Sequence, residues 1–340
     1  MPNPYLVIPG AYNGLVAAPE VSDPQHAGSV SITATARGSY SGAFRLGGRK
    51  YSVSGKLGFP LTASNTVTRA GTTPLQVELA FGSNPGDPLT GRLTDGTWTE
   101  SWHANRSGFE AKLNPAPLQG RYTVVFPGNP DSHLAPEGAG FGSVKVDAGG
   151  VGTLAGSLAD GTKLSAKVPL SKDGLWPVYT SLYHSQGFLA GWLTLTNHST
   201  NDISGESRWA RPASAKGKYY PWGFTNSLQV VGSGYLRPPA SPPGSAVLTP
   251  PTGVIAFGGG NIASPFTNQI ALDQKNKVLN LSPNKLSLTI SLSSGLFRGR
   301  VVDPATGKSS SFKGALLQTQ NVGAGFLLGT NCSARVSLGF

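Results

Sequence analysis

The chain carries one cysteine, Cys332, and one methionine, Met1, in 340 residues. A single cysteine excludes an internal disulfide framework and a cysteine-based zinc site. Charge is scarce as well. Asp, Glu, Lys and Arg make up 13 % of the chain, about half the usual fraction of roughly 25 %. The shortage falls on the acids, with 16 acidic residues against 27 basic ones and a net charge of +11. No run of about 18 apolar residues exists, so no transmembrane helix is expected. The start, Met1-Pro2-Asn3-Pro4, has no basic segment followed by an apolar one. No signal peptide is therefore expected, and the start resembles a cut inside a longer chain or an incomplete reading frame.

Glycine and proline are plentiful, 46 and 27 residues, against a usual combined share of roughly 12 %. Both are costly inside helices, through backbone entropy and through a missing N–H. A helical protein and a doubly wound α/β enzyme are excluded. Disorder is excluded too, because 6 Trp, 10 Tyr, 14 Phe and a 38 % hydrophobic share can fill a core. An all-β protein rich in turns remains.

Period-two alternation supports this. Leu286, Leu288, Ile290 and Leu292 alternate with Ser287, Thr289 and Ser291, and Val30, Ile32 and Ala34 alternate with Ser31 and Thr33. Asp95-Gly96, Asp160-Gly161 and Asp173-Gly174 mark tight turns. The stretch from Phe266 to Ser282, free of Gly and Pro, reads as a hairpin about Gln274-Lys275-Asn276-Lys277.

Internal repeats are present. Gly-x-apolar-x-Gly-x-apolar occurs at Gly38–Phe44, Gly152–Leu158 and Gly295–Val301. A second pattern recurs after 100 residues, Leu89-Thr90-Gly91-Arg92-Leu93-Thr94 against Leu189-Ala190-Gly191-Trp192-Leu193-Thr194. Each leads toward a tryptophan, Trp102 or Trp209, and each region opens on Gly-x-Tyr, at Tyr12 and Tyr122. Glycine beside a large side chain in a strand leaves room for a ring from a neighbouring strand, as curved sheets require. The expected fold is therefore all-β, with antiparallel, curved or barrel-like sheets. Two homologous units of about 100 residues are followed by a related third. The units span 1–117, 118–236 and 254–340, with a Pro-rich connector over 237–253 that reads as a stiff link or an extended edge segment.

The basic balance raises nucleic acid as a partner. The densest linear cluster, Arg208, Arg211, Lys216 and Lys218, is too thin for a nucleic-acid groove, and no such partner is expected. The five histidines (26, 103, 133, 184 and 198) show no metal-binding spacing. No G-x-S-x-G elbow occurs, and Gly258-Gly259-Gly260 lacks the Lys-Ser/Thr and helix of a phosphate loop. No cofactor, metal site or catalytic residue is expected.

Two constellations carry functional hypotheses. Glu100 and Glu206 each precede a tryptophan, and two carboxylates at fixed separation in one cleft would suit a glycosidase. Trp98, Trp102, Trp176, Trp192, Trp209 and Trp222 could stack on sugar rings if two or three formed an exposed row, or could fill cores. A terminal aromatic, Phe340, after alternating Ala334, Val336 and Leu338 raises an outer-membrane barrel, which would need an apolar outer belt.

Several segments also resemble a β-rich domain of large predicted surface proteins of Verrucomicrobia and related bacteria. They are Trp176-Pro177-Val178-Tyr179 with Gly191-Trp192-Leu193, Tyr219-Tyr220-Pro221-Trp222-Gly223-Phe224, and Phe312-Lys313-Gly314-Ala315-Leu316 with Gly325-Phe326-Leu327-Leu328-Gly329-Thr330. The resemblance runs from about Gly10 to the C-terminus. It implies export and an extracellular or cell-surface location. It supplies no established activity, so no catalytic residue is carried over. The resulting expectation is a non-enzymatic structural or adhesion module whose partners are glycans or other surface polymers. The alternatives are a carbohydrate-binding module, a glycosidase-like enzyme and a membrane barrel.

Overall fold

The computed structural model describes residues 4–16, 23–131, 134–196, 201–239 and 246–340. Among them are twenty-four strands, no α-helix, and one short 3-10 turn at Pro4–Val7. The first unit holds β1 (Gly10–Val16), β2 (Gly28–Ala34), β3 (Ser39–Leu46), β4 (Arg49–Lys56), β5 (Thr62–Arg69), β6 (Thr72–Phe81), β7 (Leu89–Thr94) and β8 (Thr99–Arg106). The second holds β9 (Gly120–Phe126), β10 (Gly140–Val146), β11 (Val151–Ser157), β12 (Lys163–Pro169), β13 (Leu175–Leu182), β14 (Gly187–Leu195), β15 (Ile203–Arg211) and β16 (Phe224–Gly234). The third holds β17 (Thr252–Gly258), β18 (Phe266–Leu272), β19 (Val278–Asn280), β20 (Leu286–Ser291), β21 (Leu296–Val302), β22 (Ser309–Leu317), β23 (Val322–Leu328) and β24 (Ser333–Gly339).

Each unit is one eight-stranded antiparallel sheet in which neighbours in sequence pair and the last strand pairs with the first. The sheet is a nearly closed barrel with one seam. Near-closure answers the edge problem that many short strands create. The seam lies between the fourth and fifth strands of the first two units, and between the third and fourth strands of the third unit. Side-chain hydrogen bonds span it. Asn65 joins β5 to β4 by donating to the Ser54 carbonyl at 3.0 Å while accepting from the Tyr40 hydroxyl at 2.6 Å. Thr180 on β13 donates to the Ser165 carbonyl on β12 at 2.8 Å. The third seam is bridged by three asparagines. Fully buried Asn268 exchanges bonds with Asn284 at 2.9 and 3.0 Å and donates to Asn280 at 3.0 Å, and Asn284 donates to the Val302 carbonyl.

Alternation places one face of every strand inside. Val30, Ile32, Phe44, Leu75, Val77, Leu79 and Leu93 fill the first barrel. Burying each such side chain stabilises by about 1.5–3 kcal/mol. The opposite positions, among them Ser31, Thr33, Ser41, Arg45, Lys50, Ser52, Gln76 and Glu78, are exposed. This polar outer belt is the reverse of a lipid-facing band, which corrects the membrane-barrel alternative.

The repeated glycines do the steric work expected of them. A Cβ at Gly91 would lie 2.5 Å from the ring of Trp102, directly across the β7–β8 ladder, and Gly299 makes the same room for Phe312. Tyr12 and Tyr122 on the first strands of two units each donate to the carbonyl four residues upstream, Ile8 and Leu118. The third unit has Val254 at that register position. The repeats are not otherwise in phase. The third Gly-x-apolar-x-Gly copy lies on a fifth strand, β21, whereas the first two lie on third strands. Leu89–Thr94 is a seventh strand, but Leu189–Thr194 belongs to a sixth. The pattern therefore records the needs of any curved strand, not one topological position.

The Pro-rich connector falls partly on residues 240–245, outside the described residues. Its end is not a linker: Val247 and Leu248 are buried in the third core, and β17 begins at Thr252. The units pack on one another. Ala27 of the first joins Phe188, Ala190 and Ala210 of the second in a small apolar cluster. Ala315, Leu317 and Phe326 of the third join the core of the second.

Between the second and third units lies a buried polar network. Asp160, at the Asp-Gly turn read from sequence, is paired with Arg211 and accepts from the Tyr183 hydroxyl at 2.6 Å. Trp209 donates to the same hydroxyl at 3.0 Å. Burial and the neighbouring carboxylate push the Tyr183 phenol well above its usual value. Lys313 reaches over from the third unit and donates to Ser157 at 3.0 Å.

Candidate functional site

A cleft of about 1150 Å³ opens on the first unit, lined by strands β5 to β8, Leu15 of β1 and the turn containing Asp23 and His26. Strand register lays its polar residues in rows. Ser64, Glu78, Arg92 and Ser101 are successive cross-strand neighbours on β5, β6, β7 and β8. Thr62, Ala80, Thr90 and His103 form the next row. The outward parity of each strand supplies these residues because the inward parity is taken by the core.

At one side of the cleft stands His26, half-buried. Its Nδ1 lies 3.7 Å from Glu100 Oε1 and its Nε2 lies 3.8 Å from Asp23 Oδ2. The imidazole stacks on the indole of Trp98, with ring centroids 4.3 Å apart and an interplanar angle of 28°. Trp98 is held by the turn before it. Thr94 Oγ1 donates to its carbonyl at 2.5 Å, and Asp95 accepts from Thr97 and from Arg69 Nη2 at 2.6 Å. Burial opposes ionisation of Asp95, but these hydrogen bonds and the guanidinium prevail and hold its carboxyl below the usual range. The lining holds three carboxylates, Asp23, Glu78 and Glu100, and one guanidinium, Arg92, of which Glu78 and Arg92 are opposite each other in register. The cleft is therefore locally acidic on a strongly basic protein.

Of the residues singled out from sequence, Glu100 lines the cleft and Glu206 does not. Glu206 is exposed on β15, a seventh strand, opposite Trp192, whereas Glu100 is on an eighth strand. Their apparent correspondence between repeats does not hold, and the cleft does not assemble the expected pair.

The six tryptophans do not form an exposed row. Trp102, Trp176 and Trp209 are at most 3 % exposed and belong to the cores, as corrections to the sugar-stacking expectation. Trp176 is sealed by a hydrogen bond to the Val168 carbonyl at 3.1 Å. Trp192 faces outward but stacks on His103 of the first unit at 4.5 Å and 10°. Burial lowers the His103 pKa. Trp222, 45 % exposed, lies in the β15–β16 loop against Tyr220. Trp98, half-buried against the first core, stacks on His26 of the cleft lining, and the buried Trp102 is itself part of that lining. Sequence reasoning missed Glu78, Arg92 and His26, because only the register of strands brings them together.

No group of three or more His, Cys, Asp and Glu side chains suited to a metal ion occurs among the described residues. No protein-family model matches the chain, and no curated protein matches it. Solved structures show slight likeness. Intact Ap-TbpB, with N and C lobes, is 10 % identical, with a TM-score of 0.23 over 97 % of this chain and 77 % of that one. A double mutant of transferrin binding protein B, a vaccine antigen from Haemophilus parasuis Hp5, is 9 % identical, with a TM-score of 0.22 over 98 % and 77 %. Endo-1,5-alpha-L-arabinanase from Thermotoga petrophila RKU-1 is 10 % identical, with a TM-score of 0.21 over 92 % and 97 %. Scores this low transfer neither a fold nor an activity.

Proposed function

We propose that the chain is a non-enzymatic binding and adhesion module of a cell surface, and that the first-unit cleft takes a neutral glycan. The observation that carries this reading is the polar row from Ser64 to Ser101 beside the His26–Trp98 stack. Carboxylates and a guanidinium supply acceptors and donors for sugar hydroxyls, and the His26 ring, backed by Trp98, supplies a flat face for a sugar ring. A few placed polar groups in a mostly preformed concavity is the usual build of a small-ligand site. The surface location rests on the resemblance of the Trp176–Leu193 and Phe312–Thr330 segments to a surface-protein domain.

The test is titration of the purified chain with a panel of neutral oligosaccharides, read by tryptophan fluorescence and thermal melting. Binding by one class, lost in Trp98→Ala and in Glu78→Ala but kept in Trp222→Ala, is the expected result. Silence across the panel overturns the glycan reading. Release of reducing ends from a bound polysaccharide, abolished by Glu100→Gln, overturns the non-enzymatic one.

A further inference from the structure

The outer face of β20 to β22 in the third unit is a second concavity, of about 670 Å³, and its lining contains no carboxylate. Register again builds rows. Thr289, Arg298 and Lys313 are cross-strand neighbours, and so are Ser287, Arg300 and Ser311. Positions in one row are about 4.8 Å apart, and Arg298 and Arg300 are separated by roughly 6.7 Å along their strand. A smaller hollow of about 460 Å³ shares Ser287, Arg300 and Ser309 with this one and adds Lys285, so the two are continuous.

Arg298 and Arg300 are exposed and take part in no ion pair among the described residues. Arg298 is the register partner of Lys313, whose ammonium is held at the unit boundary by Ser157 and over the rings of Phe141 and Phe326, so the two guanidinium groups carry the exposed charge of this face. Two acids of this part of the molecule are engaged elsewhere. Asp160, near Lys313, is paired with Arg211 and bonded to Tyr183, and Asp303 accepts the amides of Ala305 and Thr306 in its own turn. Hydroxyls of Ser and Thr fill the intervening positions, so donors are dense and acceptors of opposite charge are missing.

We propose that this face binds an acidic polysaccharide, with sulfate or carboxylate groups spaced along an extended chain. Complementary charge selects the anion, and guanidinium forks with adjacent hydroxyls match the geometry of sulfate and carboxylate. The groove length suits several anionic groups in line. Single-stranded nucleic acid is the lesser fit, because it needs aromatic platforms for its bases. The aromatic rings here, Phe312 and Phe326, are buried at 2 % and 1 % exposure. The site is distinct in position and in sign of charge from the first-unit cleft, so either can fail without the other.

The experiment measures binding of dextran sulfate and polygalacturonate to the full chain at several salt concentrations, with neutral dextran and a single-stranded oligonucleotide as comparators. Binding of at least one acidic polymer, falling steeply with salt, is expected. The double variant Arg298→Gln/Arg300→Gln should weaken it at least tenfold. Arg298→Lys/Arg300→Lys should retain most of it, and Arg45→Gln/Lys50→Gln on the first barrel should change it less than twofold. Unaltered melting curves keep loss of fold from counting as loss of binding. Were the Arg298→Gln/Arg300→Gln variant to melt early, the exposed substitution Ser311→Glu replaces it, with the same tenfold loss expected. Equal loss in the first-barrel variant shows diffuse charge only and overturns the proposal, as does tighter binding of the oligonucleotide or no binding of either acidic polymer.

Discussion

The first and third barrels present their outer faces to solvent in opposite electrical terms. On β5 to β8, Glu78 faces Arg92 across the ladder, and Asp23 and Glu100 add negative charge. On β20 to β22, Arg298 faces Lys313, and Arg300 follows two residues on. The frame beneath is an eight-stranded antiparallel sheet in both, with its seam one strand earlier in the third barrel. One parity of each strand is committed to its own core, and the other can vary at little cost to folding where no second unit packs on it. The two proposed sites therefore draw mainly on the outward parity of individual barrels, as sites grafted on a repeated scaffold.

The contrast is broken hardest at the second barrel, which touches both others. Asp160→Asn leaves Arg211 uncompensated in a side-chain environment where Asp160 itself is fully covered. A loss of about 3–5 kcal/mol is expected, as for breaking a buried pair. Denaturant unfolding of the full chain checks it. A loss under about 1 kcal/mol would mean that the network is incidental to the packing of the second and third units.

Next in size is Gly91→Val. Its Cβ would meet the Trp102 ring and the backbone carbonyl of Glu78, and a carbonyl within a ladder cannot step aside. The expected cost is about 3 kcal/mol, with neutral-glycan binding lost and acidic-polymer binding kept. Loss of both together would mean that the faces are not independent. Asn268→Ala is the converse change. It strips the buried bridge across the third seam, with an expected cost of about 2 kcal/mol. It should loosen the basic face and spare the acidic cleft, as hydrogen exchange of β19 and β20 amides would report.

The smallest effect is a pH dependence where the first and second barrels meet. The His103 pKa is lowered, so the unfolded chain binds more protons than the native one between that depressed value and the ordinary value of about 6.5. Stability from this contact is full above that window and falls as pH drops through it. Trp192 fluorescence should shift between pH 7 and pH 5, and His103→Phe should flatten the change. A shift that survives this substitution would place the titrating group elsewhere.

The barrel strands were legible because alternation, Asp-Gly turns and glycine-aromatic pairing are local signals. Phe266–Ser282 is the hairpin that its polar centre suggested, built from β18 and β19. The sites were far less legible. Arg208, Arg211, Lys216 and Lys218 are the densest basic run along the chain, yet Arg211 is spent on Asp160. The basic face is built instead from residues 298, 300 and 313, adjacent only through hairpin register. Tryptophans misled for a related reason. A ring can equally serve a core or a surface, and the glycine opposite Trp102 marks it as core only once the ladder is known. The two repeats looked in phase because the glycine rule applies to every curved strand alike.

The pairing of first with last strand has a further consequence. β1 lies beside β8, β9 beside β16 and β17 beside β24, so the chain enters and leaves each barrel on adjacent strands. A barrel is thus a closed excursion from a thread, and copying or deleting one requires only a short splice. The inner strands need no long-range partner, and one closing ladder per barrel sets the loop-closure cost of folding. Such beads can be added without disturbing their neighbours' topology, and each new one arrives with an outer face that selection can recharge.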